Sequence, residues 1–63
     1  MCEANVYLLK DGNEELFMED VDVIQPEEDK FFLRNVRGDQ KMINAKIKSI
    51  SLVNHKIVLE ERV

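Results

Sequence analysis

The sequence predicts an all-β fold, a small barrel of about five to six antiparallel strands. Two observations lead there. Apolar and polar residues alternate in short runs, and those runs are separated by turn signals at Asp11-Gly12, Arg37-Gly38-Asp39 and Asn54-His55. No linker, repeat or low-complexity stretch interrupts the pattern, so residues 1–63 read as a single domain.

The first strand is Cys2-Glu3-Ala4-Asn5-Val6-Tyr7-Leu8-Leu9, with Cys2, Ala4, Val6 and Leu8 on its inward face, because side chains on a strand repeat every second residue. Lys10-Asp11-Gly12-Asn13 is a tight hairpin turn, since Asp-Gly readily takes the positive φ such turns require. Glu14 to Met18 returns from it, with Leu16 and Met18 on one face and Phe17 on the other. Val21 to Gln25 is the next strand and ends at Pro26, which cannot donate to a ladder. Glu27-Glu28-Asp29 is then a solvated turn. Lys30 to Val36 is the most aromatic strand, carrying Phe31 and Phe32, and Gln40 to Ile43 pairs back after Gly38. Ala45 to Leu52 breaks its alternation between Ile47 and Ile50, which predicts a bulge near Ser49. Lys56 to Leu59 closes the sheet, and Glu60 onward is a polar tail.

Composition limits the function. A domain of about 60 residues buries only ~60% of its unfolded surface, so a metal or a partner subunit is the natural source of extra stability. The single cysteine excludes an internal disulfide. No signal-peptide h-region and no membrane-spanning run is present, which points to a cytoplasmic protein with a reduced thiol and no membrane association. The net charge of −4, from 13 acidic and 9 basic residues, argues against general binding to a phosphate backbone.

Cys2 carries the sharpest chemistry. Removal of Met1 ahead of a small residue leaves an α-amine and a thiol on the same Cα, which close a five-membered chelate ring; the Glu3 backbone nitrogen closes a second. Thiolate with nitrogen donors suits tetragonal Ni(II) or Cu(II). The plainer reading is a small buried hydrophobe at a strand end. His55 is the lone imidazole, and turn chemistry explains it without a metal. The acidic residues Glu27, Glu28 and Asp29 lack calcium-loop spacing. Phe17, Phe31 and Phe32 with Lys30, Arg34 and Arg37 form the alternative site, a stacking platform for RNA or other single-stranded nucleic acid. No nucleophile with a base, paired carboxylates or phosphate-cradling loop stands out, so an enzyme is not expected.

Three segments carry a family resemblance: Met1-Cys2-Glu3-Ala4-Asn5-Val6-Tyr7, Glu19-Asp20-Val21, and the run from Ile50 to Glu60. Together they resemble the CooT family of small nickel-binding proteins, which also carries the label "predicted RNA-binding protein". The resemblance spans essentially the whole chain. It implies an SH3-like barrel that forms a homodimer and binds one nickel ion between the second-position cysteines of its protomers. It also implies a link to nickel supply for carbon monoxide dehydrogenase. Carried onto this chain, the metal residues are Cys2 and, through its backbone nitrogen, Glu3. The expected cofactor is Ni(II), and the expected partner beyond a second copy is a nickel enzyme or its maturation machinery. Nickel storage, delivery or sensing is then the expected role.

Overall fold

A computed structural model describes residues 3–61. Six strands follow one another: β1 (Ala4–Lys10), β2 (Asn13–Glu27), β3 (Lys30–Asn35), β4 (Gln40–Ile43), β5 (Ala45–Ser51) and β6 (Lys56–Glu61). They form one curled sheet in the order β4-β3-β2-β1-β6-β5. The all-β expectation holds, and the curl makes a half-barrel. Its two edges, β4 and β5, are consecutive in sequence with only Asn44 between them. The chain itself therefore draws the edges toward each other where no ladder does.

The sheet is mixed rather than purely antiparallel. β1 and β6 run parallel, with Val6 opposite Ile57 and Leu8 opposite Leu59. Pairing of the first and last strands leaves no local sequence signature, which is why alternation alone did not indicate its direction. β6 also continues to Glu61 instead of ending at Leu59, because Glu60 pairs with both Leu9 and Lys46.

The expected hairpin is present. Lys10 pairs with Asn13 across Asp11 and Gly12, whose φ values of 50° and 80° are the left-handed pair of a tight turn. β2 then departs from expectation. It is one continuous strand, not two ending at Met18 and Gln25. Asp20, at φ 55°, bulges the strand instead of turning it. The Asp20 amide donates to Asn5 Oδ1 at 3.3 Å, and its carbonyl accepts from the Val36 amide at 3.0 Å. The bulge is thus tied to β1 on one side and to the first residue after β3 on the other. A second irregularity between the Val6–Met18 and Tyr7–Leu16 pairs separates Leu16 from Met18. Leu16 is exposed while Met18 is buried and Phe17 packs on the core, which corrects the face assignment from simple alternation.

Pro26 lies inside β2 and not at its end. Beyond Val21, β2 pairs only with β3 among the described residues, and a strand with one open side tolerates a missing donor. The bulge expected near Ser49 is found: the β5–β6 register slips between Ile47 and Ser49, leaving Lys48 as the extra residue.

The core is Val6, Leu8, Met18, Val21, Leu33, Ala45 and Leu59, drawn from five strands. Phe17, Ile24, Phe31, Ile43 and Ile57 pack around it. Among the described residues Asn35 is the buried polar one. Its Oδ1 accepts from the Arg37 and Asp39 amides at 3.0 and 2.9 Å, and its Nδ2 donates to Asp39 Oδ2 at 3.1 Å. That network builds the β3–β4 turn, in which Gly38 supplies φ 89°. Among the described residues no helix is long and apolar enough to cross a membrane.

Candidate functional site

β1 begins at Ala4, opposite Val21, whereas β2 runs on to Glu27. Among the described residues the sheet therefore has an open notch at the N-terminal end of β1. The turn after β5 closes its far side. The result is an apolar groove of about 310 Å³ between the β2 segment Val21–Ile24 and the turn from Ile50 to Ile57. Glu3 and His55 both line it.

Cys2 lies outside the described residues. Glu3, bonded to it, is half-buried on the groove wall. The Asn5 amide donates to the His55 carbonyl at 2.8 Å, so the start of β1 is fixed beside the last turn. His55 is exposed and holds φ 52°, as a turn residue that tolerates the left-handed region does. The groove thus brings together Glu3 and His55, residues far apart in sequence. Among the described residues no three His, Cys, Asp or Glu side chains gather to hold a metal ion.

The residues of the alternative nucleic-acid platform are dispersed. Phe17 and Phe31 turn inward onto the core. Phe32 alone takes the other face of β3, in the alternating row with Lys30 and Arg34. Arg34 Nε lies 3.7 Å from Asp22 Oδ1. Arg37 is held by Asp20 at 3.4 Å and Asp39 at 3.8 Å. Carboxylates of the same chain therefore screen two of the three cations expected to meet phosphate. Lys41, which the sequence did not single out, sits 4.8 Å over the Phe17 ring and donates to the Phe17 carbonyl at 3.2 Å. The run Glu27-Glu28-Asp29 is exposed, as expected, but the β2–β3 turn is Glu28-Asp29 alone, because Glu27 still belongs to β2 and pairs with Lys30.

Alternation also overlooked the apolar tip of the β5–β6 turn. Leu52 and Val53 are 82% and 89% exposed. Two aliphatic residues beside the turn pair Asn54-His55 were the available signal, since turns favour Gly, Asn, Asp, Ser and Pro.

The comparisons agree with this architecture. A family profile described as CO dehydrogenase accessory protein CooT matches residues 1–60. An uncharacterized protein of Methanocaldococcus jannaschii is 38% identical over 60 residues, spanning 95% of this chain and 98% of the relative. A crystal structure from Carboxydothermus hydrogenoformans assigned as CooT is similar with a TM-score of 0.92 at 44% identity. That likeness covers 98% of this chain and 100% of the other.

Proposed function

The chain belongs to the CooT family, whose description is CO dehydrogenase accessory protein, and we propose from that premise that it is a Ni(II) carrier. In this reading it is a cytoplasmic homodimer and not an enzyme. Nickel is its cargo, passed to a nickel enzyme such as carbon monoxide dehydrogenase or to the machinery that matures it.

The site would be made by Cys2 of each protomer, with the α-amine or the Glu3 backbone nitrogen as the second donor. Two copies of such a pair supply four soft and nitrogen donors around a two-fold axis, a set suited to square-planar Ni(II). The observation that carries this reading is the position of Glu3, on the wall of an apolar groove at the end of β1. Cys2 is the neighbour of Glu3 in the sequence, and a second copy can bury apolar area at the groove that Glu3 lines. A donor pair on each chain is then enough, and neither chain needs a complete cage of its own.

Titration of untagged, Met-processed protein with Ni(II) tests this. The expected result is thiolate-to-nickel charge-transfer absorption, with one metal per two chains in native mass spectrometry. Absence of both the band and the metal-bound dimer overturns the proposal, and salt-dependent RNA retention would then favour the nucleic-acid reading.

A further inference from the structure

We propose that the groove between Val21–Ile24 and the β5–β6 turn receives the Leu52-Val53 tip of a second copy of this chain. The inference rests on the homodimer reading above and specifies which surface forms the dimer.

The groove calls for an apolar occupant. Val21, Val23, Ile24, Ile50 and Ile57 line it. Two of its charged residues are already engaged within the protomer: Asp22 with Arg34, and Lys56 with Glu14 at 2.6 Å. A charged ligand would find those groups neutralised, whereas an aliphatic side chain finds a matching surface.

The chain carries that occupant on the same face. Among the described residues Leu52 and Val53 are the two most exposed large hydrophobics, and Leu52 itself borders the groove. The tip is preorganised. The Asn54 amide donates to Ser51 Oγ at 3.3 Å, and the His55 amide donates to the Leu52 carbonyl at 3.4 Å. A projection and a hollow side by side on one face are what an isologous interface requires, because a two-fold rotation seats each tip in the other copy's hollow. A chain of 63 residues with so small a core also gains most from such burial.

Sedimentation equilibrium on metal-free and Ni(II)-loaded protein tests the contact, with far-ultraviolet circular dichroism to check the fold. Wild type and Cys2→Ser are expected to dimerise without metal. Leu52→Asp and Val53→Asp, both at exposed positions, should keep the fold and weaken the dimer by at least about a hundredfold. Aspartate variants that dimerise as tightly as wild type would overturn this contact while leaving nickel binding at Cys2 intact. A wild-type chain that stays monomeric with and without Ni(II) would overturn both. A second measurement locates the contact directly. A mixture of Val23→Cys and Val53→Cys chains, each also carrying Cys2→Ser, should be joined by a short bismaleimide into a mixed dimer. No cross-link above the level of a Val36→Cys control would overturn the proposed seating.

Discussion

The Asn5 amide donates a 2.8 Å hydrogen bond to the His55 carbonyl, which joins the start of β1 to the last turn of the chain. Next to it, Asn5 pairs with Lys56 in the parallel β1–β6 ladder. One wall of the groove and the turn carrying Leu52 and Val53 are thereby held in a fixed relation. His55 owes its position to this backbone role and to its φ of 52°, and its imidazole is not required for either.

His55→Asn should therefore preserve both stability and nickel affinity, since Asn also tolerates the left-handed region. His55→Val should destabilise by about 1–2 kcal/mol, the cost of forcing a β-branched residue into that region. Urea denaturation and a nickel titration on both variants check this. A large loss of affinity in His55→Asn would make the imidazole a ligand.

Asp20 gives the second prediction. Its amide reaches Asn5 Oδ1 and its φ is 55°, so the bulge depends on a side-chain acceptor and on an unusual backbone. Asn5→Ala removes the acceptor and should cost about 0.5–1.5 kcal/mol. Asp20→Gly keeps the conformation available and should be tolerated despite losing the exposed pair with Arg37, worth about 0.2–1 kcal/mol at most. Asp20→Val should be the most damaging of the three. Equal denaturation midpoints for Asp20→Val and wild type would show that the bulge needs no left-handed residue.

These two positions also explain what could and could not be read from the sequence. The Asp11-Gly12 turn and the bulge at Lys48 were legible, because each follows from a local signal, a dipeptide or a break in period. Asp20 was not. An exposed acidic residue between two apolar runs reads as a turn, and only its bonds to Asn5 and Val36 show a bulge in a continuous strand. Pro26 was misread for the same reason, since its tolerance depends on the neighbour that β2 lacks beyond Val21 among the described residues. The groove was not legible at all. Val21, Ile24, Ile50 and Ile57 meet only through the sheet order. Cys2 lies outside the described residues, and the metal chemistry read from its place in the sequence is a proposal.

Lys56 links pH to stability. Its Nζ lies 2.6 Å from Glu14 Oε1 and 4.9 Å from the Tyr7 ring centroid. The hydrogen bond to Glu14 raises its pKa above the ordinary 10.5, outweighing a smaller desolvation effect in the opposite direction. A raised pKa in the folded state means that the ammonium form favours folding. That contribution is complete below pH 10.5 and fades as pH rises through the higher folded value. The stability difference between wild type and Lys56→Gln should stay constant in moderately alkaline buffer and close above that pH. A gap that persists with the lysine deprotonated would assign the role of Lys56 to packing on Tyr7 instead of charge.

The last prediction concerns the N-terminus, where two variants separate two donors. Cys2→Ser removes the thiolate but keeps the amine, and nickel affinity should fall by more than about a hundredfold, beyond what loss of a supporting outer-shell group costs. An N-terminal extension keeps the thiolate and replaces the free amine with a peptide nitrogen, which binds Ni(II) only after losing its proton. Affinity at neutral pH should drop, and it should recover in part as pH rises. Wild-type affinity should itself weaken on acidification, because thiolate and amine must both be deprotonated to bind. If extended protein binds as tightly as processed protein at neutral pH, the amine is not a donor, and the Glu3 backbone nitrogen remains as the partner of the thiolate. If Cys2→Ser retains wild-type affinity, the metal lies elsewhere on the chain and the proposed site is wrong.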